Sequence, residues 1–170
     1  MIEEKVLFNA TVCLLIKEGK VLLALKTRKI GAGCWNGYGG GIENGETPVA
    51  CAIRELEEES GVKTKSKNLE KVAIVNFHNT KSDGTVFISR VHFFLVNSWE
   101  GELIGTEEMT NPTFFDINNL PFDKMMPADR EYFPLILNGK KVLVESYYSP
   151  FQKELTRKVE IQEVEFLPEE

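Results

Sequence analysis

Residues 40–62 read GGIENGETPVACAIRELEEESGV, and this stretch governs how the rest of the chain is read. Thr47 suits a helix N-cap and Pro48 the first turn, where an N–H would be unsatisfied anyway. Gly61 closes the helix as a C-terminal glycine does. An α-helix advances about 100° per residue, so Glu55, Glu58 and Glu59, spaced i, i+3 and i+4, share one face. Val49, Ile53 and Leu56 lie on a different face and can pack against a sheet.

That acidic face is in conflict with itself. Like charges at these spacings destabilise an isolated helix by roughly 0.2–0.5 kcal/mol per pair. Carboxylates near a helix C-terminus also oppose the helix dipole. Arg54 offsets part of this through Glu58, its i+4 neighbour. A divalent cation would remove the conflict, because Mg²⁺ takes oxygen ligands and joins carboxylates to substrate phosphates. Taken alone, such an acidic run is also compatible with a plain solvated helix face.

Outward from the helix, strands dominate. Val6 to Ile16 and Val21 to Leu25 form a hairpin about Glu18-Gly19-Lys20. Ile30 to Gly41 is a glycine-rich stretch. Val72 to Phe77 and Val86 to Val96 flank the turn signal Ser82-Asp83-Gly84-Thr85. Pro112 to Ile117 is a short strand. A second helix starts near Pro127-Ala128-Asp129 and stops at Asn138-Gly139, and Lys141 to Tyr148 and Lys158 to Phe166 close the chain. This pattern predicts a mixed α+β fold, read as one domain over residues 1–170.

The chain has 170 residues and a net charge of −6, which disfavours a broad nucleic-acid-backbone binder and allows a small phosphorylated substrate bridged by metal. Cys13, Cys34 and Cys51 form no CxxC, so a reducing, cytoplasmic setting is the simplest reading. The apolar runs have strand length, far short of a membrane span. Cys13, Cys51, His78, His92 and Trp35 read as structural, Trp35 as packing that fixes Asn36, and His78 as a residue that could line a pocket mouth.

Gly40, Glu46, Arg54, Glu55, Leu56, Glu58, Glu59, Gly61 and Val62 fit the form G-x5-E-x7-R-E-U-x-E-E-x-G-U, with U apolar. This resembles the Nudix box at every fixed position. The resemblance implies the Nudix fold, a mixed sheet sandwiched between helices, and Mg²⁺-dependent hydrolysis of a nucleoside diphosphate linked to another group, with Mn²⁺ a possible substitute. Lys26-Thr27-Arg28, the run Gly31 to Gly40, and the run Leu120 to Leu135 are similar to the oxidised-purine nucleoside triphosphate diphosphatases. Those enzymes release a monophosphate and pyrophosphate.

By that resemblance, Glu55, Glu58, Glu59 and Glu108 match metal ligands, together with the Gly39 carbonyl. Glu55, Glu58 and Glu108 carry the catalysis, with Glu58 or Glu108 as the base. Thr11, Lys26, Asn36, Tyr38, Gly39, Gly40, Met126 and Asp129 match substrate-binding positions. The chain departs from the pattern in having Met126 where a stacking tryptophan is usual and Ala128-Asp129 where two aspartates are usual. Gly41 replaces a lysine. The expected partner is a small nucleotide bound by a monomer, with no long nucleic acid and no membrane. Another Nudix substrate (an unmodified nucleotide, a nucleoside diphosphate sugar or a capped RNA end) and a non-catalytic nucleotide-binding module are the alternatives.

Overall fold

The structure, a computed structural model, describes residues 8–28, 31–168 and 170. Val6 and Leu7 of the expected first strand, and Ile30 of the expected glycine-rich stretch, lie outside them. The strands are β1 (Asn9–Lys17), β2 (Lys20–Lys26), β3 (Trp35–Asn36), β4 (Tyr38–Gly41), β5 (Leu69–Thr80), β6 (Val86–Val96), β7 (Met109–Asp116), β8 (Lys141–Tyr147) and β9 (Glu160–Val164). The helices are α1 (Pro48–Ser60) and α2 (Asp129–Leu137). Among the described residues the strands form one mixed sheet in the order β3-β2-β1-β6-β5-β8-β9, with β4 on β1 and β7 on β2.

The β1–β6 and β5–β8 pairs are parallel, and the other pairs are antiparallel. β1 changes partner along its length: Ala10 to Cys13 pair with β4, and Leu15 to Lys17 pair with β2. The glycine-rich segment therefore contributes two short strands. β7 begins earlier than Pro112 because the ladder to β2 slips between Leu23 and Leu25, and Asn111, at φ 51°, absorbs the irregularity.

Side chains alternate across the sheet and feed two cores. Cys13, Leu15, Tyr38 and Phe94 pack under α1 with Ala52 and Leu56. Leu14, Leu23, Val75 and Phe93 pack under α2 with Tyr132 and Ile136. The sheet is thus sandwiched between helices, which agrees with the α+β reading and with the arrangement the family resemblance implies. No helix among the described residues is long and apolar enough to cross a membrane.

Candidate active site

The sequence of α1 fixes both of its ends. Thr47 Oγ1 accepts the Ala50 N–H at 3.1 Å, and Pro48 follows the cap. Gly61 adopts φ 81° and its N–H returns to the Glu57 carbonyl at 2.9 Å. The preceding loop is tied to the helix by Arg54, whose guanidinium donates from Nε and Nη2 to Glu46 at 2.7 and 2.9 Å. Its Nη2 also reaches the Gly41 carbonyl at 3.1 Å. Nη1 donates to Glu55 at 2.9 Å and to Glu58 at 3.3 Å. The Glu58 contact read from the i+4 spacing is present, but the fork on Glu46 is the main attachment. That fork, with the Glu43 N–H behind it, holds the Glu46 carboxyl down to about 2.

Gly39 admits β4 to β1, and Gly40 admits α1 to the sheet. A Cβ on Gly39 would lie 1.8 Å from the Thr11 carbonyl oxygen, and one on Gly40 would lie 2.5 Å from the Glu55 carboxyl group. The Gly39 N–H donates to Glu59 Oε1 at 2.8 Å. Burial pushes the Glu59 carboxyl up to about 7, and the charges of Glu55 and Glu108 push the same way, against the Gly39 bond and Lys26. Glu55, Glu59 and Glu108 therefore repel one another from α1 and from the loop leading into β7. Glu108 is held from the other side by Arg28, 3.0 Å away, and its carbonyl accepts the Thr27 N–H at 3.0 Å. Glu58 is the most exposed of the box carboxylates that touch Arg54, at 58% of its side chain, apart from the solvent-facing Glu43 at 70%.

Among the described residues, no three His, Cys, Asp or Glu side chains converge closely enough to hold a metal as they stand. The donor set nevertheless fits a hard divalent cation: it is all carboxylate and carbonyl oxygen, and burial together with the charges of Glu55 and Glu108 disfavours an ionised Glu59 in a way that a cation relieves.

Beside these carboxylates lies a cleft of about 290 Å³ between the sheet and α2. Glu59, Glu108, Lys26, Gly39 and Gly40 line one part of its wall, and Asn36, Met126 and Asp129 line another. Asn36 Nδ2 donates to the Cys34 carbonyl at 3.3 Å, which fixes the orientation of its amide. Asp129 is 4% exposed and accepts from the Tyr132 hydroxyl at 3.1 Å and the Met126 N–H at 3.2 Å. Burial raises its carboxyl to about 7 against both bonds. Met126 packs at Gly31, where an added Cβ would meet its sulfur at 3.4 Å.

One substrate position differs from the expectation. Tyr38 is fully buried under α1 rather than in the cleft, because it pairs across the ladder with Cys13 and so shares that residue's face. Thr11 reaches the cleft wall, but its hydroxyl lies 3.3 Å from the Cys51 thiol, on the α1 side. His78 is not at the cleft either: it stacks on Tyr147 and contacts Glu145 at 3.2 Å. Trp35 does pack, edge-on against Phe115.

The sequence reading missed the rest of the wall, where Phe77, Asn79, Ser89, Phe93, Phe133 and Gln152 come together. Asn79 and Ser89 carry no distinguishing signal, because β5 also holds Asn76, His78 and Thr80 and β6 also holds Arg90 and His92. Nothing local marks Gln152.

The sheet carries a capped carboxylate helix on one face and a largely apolar cleft with a few polar groups on the other. The NUDIX domain profile matches residues 7–136, and the chain belongs to that family. It is 40% identical over 133 residues to the oxidized purine nucleoside triphosphate hydrolase of Danio rerio, covering 78% of this chain and 81% of that protein. The Mus musculus protein of the same description is 38% identical over 131 residues, covering 77% and 80%. Among solved structures, the MutT protein of Bacillus halodurans superposes with a TM-score of 0.78 at 24% identity, covering 91% of this chain and 97% of that one, a likeness of fold.

Proposed function

We propose that the protein is a sanitising hydrolase that converts an oxidised-purine nucleoside triphosphate to its monophosphate and pyrophosphate. The observation that carries this is one cleft whose wall combines carboxylates and Lys26 with the amide of Asn36 and the carboxyl of Asp129. The relatives in Danio rerio and Mus musculus are described as oxidized purine nucleoside triphosphate hydrolases. Glu55, Glu58, Glu59, Glu108 and the Gly39 carbonyl would hold Mg²⁺, or Mn²⁺ in its place. When bound, the cation neutralises phosphate charge and makes a nucleophile from water near neutral pH.

The chain's own groups do the rest. Glu58 or Glu108 accepts the proton of the attacking water. Lys26 compensates phosphate charge near Glu59, and Asn36 offers an acceptor oxygen and a spare amide hydrogen to the base edge. Asp129, raised to about 7, can face the base either as acceptor or as donor. We take the functional unit to be a single-domain monomer in the cytoplasm; the three free cysteines support a reducing compartment.

Met126 and Ala128 favour a second reading, hydrolysis of another nucleoside diphosphate derivative, because the cleft lacks an aromatic at 126 and a carboxyl at 128. The deciding experiment is incubation with a nucleoside triphosphate and Mg²⁺, with products read by mass. Monophosphate with pyrophosphate, abolished by chelator, is expected. A nucleoside diphosphate with phosphate, or hydrolysis of nucleoside diphosphate sugars alone, overturns the proposal.

A further inference from the structure

The wall of the cleft includes Gln152, which comes from a loop over residues 148–156, outside the family-matched residues 7–136. The loop is a closed unit: Tyr148 bridges Leu155, the Thr156 N–H donates to the Tyr147 carbonyl at 2.8 Å, and the Ser149 N–H donates to Glu154 at 2.9 Å. It is anchored to β5 by the Tyr148 N–H on the His78 carbonyl at 2.9 Å and by the Thr80 hydroxyl on the Tyr148 carbonyl at 2.9 Å. At its tip Phe151 and Gln152 are both left-handed, with φ 62° and 55°. Two successive residues with a Cβ rarely adopt that region, and such backbone persists where surrounding contacts over-determine it.

The consequence is the placement of one side chain. Gln152, half-buried, lines the cleft and donates from Nε2 to Asn79 Oδ1 at 2.6 Å. Asn79, 6% exposed, donates from Nδ2 to the Phe77 carbonyl at 3.2 Å and to Ser89 Oγ at 3.1 Å. A backbone carbonyl can only accept, so the Asn79 amide cannot be turned round. Its oxygen must face Gln152, and Gln152 must therefore meet it with its NH₂ group. The chain Phe77–Asn79–Gln152 has a fixed direction, which leaves Gln152 an acceptor oxygen and one amide hydrogen for whatever fills the cleft. The neighbouring wall, with Phe77, Phe93 and Phe133, is apolar, so a ligand meets few competing polar groups there.

We propose that Gln152, oriented by Asn79, is a specificity-determining residue that reads the edge of the nucleobase through its acceptor–donor pair. The complementary edges place a donor beside an acceptor, as in a lactam N–H next to C=O or an amidine nitrogen next to NH₂. This rests on the cleft being the nucleotide site, and it adds a reading group from the C-terminal loop to Asn36 and Asp129.

The test is calorimetric binding of two nucleoside monophosphates, deoxyguanosine monophosphate and the monophosphate of unsubstituted purine riboside, which lacks such an edge. Gln152→Leu keeps the bulk and removes both polar groups. It should weaken the guanine ligand about three- to tenfold, the worth of a lost neutral hydrogen bond, and leave the purine ligand unchanged. Gln152→Glu, which loses the hydrogen given to Asn79, should also reduce the preference between the two. Equal weakening of both ligands means a structural role and overturns the proposal, as does an unchanged ratio in both variants. Binding of neither ligand by the wild type overturns it together with the proposed function. Selective binding without turnover would remove the hydrolytic reading alone.

Discussion

The two faces of the sheet solve opposite electrostatic problems. Under α1, charges are gathered and balanced: Arg54 ties Glu46, Glu55 and Glu58 together, and the carboxylates remain partly wet. Under α2, polar groups are few, buried and individually satisfied, as Asp129 is by Tyr132 and Met126, and Asn79 by Phe77 and Ser89. The first arrangement suits holding divalent cations, which compensate phosphate charge and need several carboxylates held near one another. The second suits recognition, where one misplaced hydrogen bond in a dry wall decides between ligands. On the proposed function, chemistry and selectivity fall on separate elements that meet at Gly39 and Gly40.

This division can be broken from either side. The largest effect is expected for Glu58→Gln: turnover should fall about 100-fold or more, the usual scale for losing a general base or metal ligand. Because Glu58 is largely exposed, its melting temperature should barely move, and near-normal turnover would remove Glu58 from the machinery. Gly40→Ala should act on both folding and activity, since the new methyl group meets the Glu55 carboxyl; a loss of about 2–3 kcal/mol by denaturant unfolding is expected.

On the other face, Asp129 makes stability depend on pH. Its folded value of about 7 lies above the 3.8 of an unfolded aspartate, so the native state binds the proton more tightly. Its contribution is therefore most favourable below about pH 4, and stability declines as pH rises to about 7. Asp129→Asn should flatten that decline, by on the order of 2 kcal/mol across the window, in melting curves taken from pH 4 to 8. An unchanged slope would show that the carboxyl is ionised in the fold. The smallest effect is Met126→Trp, which adds a stacking face: purine monophosphates should bind about five- to tenfold tighter in a fluorescence titration, at the low end of a base–aromatic stack.

The contrast also governs what could be read before the fold was known. The α1 site is encoded locally: caps, carboxylate spacing and the closing glycine fall within Thr47 to Gly61, and each is realised as read. Even there, the Arg54–Glu46 fork escaped notice, because residues eight apart across a loop have no helical periodicity to connect them. The α2 face is assembled from β1, β5, β6, α2 and the C-terminal loop, and no window of sequence contains it. Asn36, Met126 and Asp129 were reached through resemblance, whereas Asn79 and Gln152 required the β5–β6 register and the left-handed loop tip. Tyr38 was misassigned for the complementary reason: its neighbours line the cleft, but strand alternation turns its ring to α1.

The central claim is that a phosphate-hydrolysing face serves a cleft that selects an oxidised purine. It is tested most directly by measuring kcat/KM for 8-oxo-dGTP and dGTP side by side in Mg²⁺, with pyrophosphate release as the readout. A preference for the oxidised base of more than about tenfold, equivalent to about 1.4 kcal/mol, is predicted. Equal turnover of the two nucleotides would contradict it.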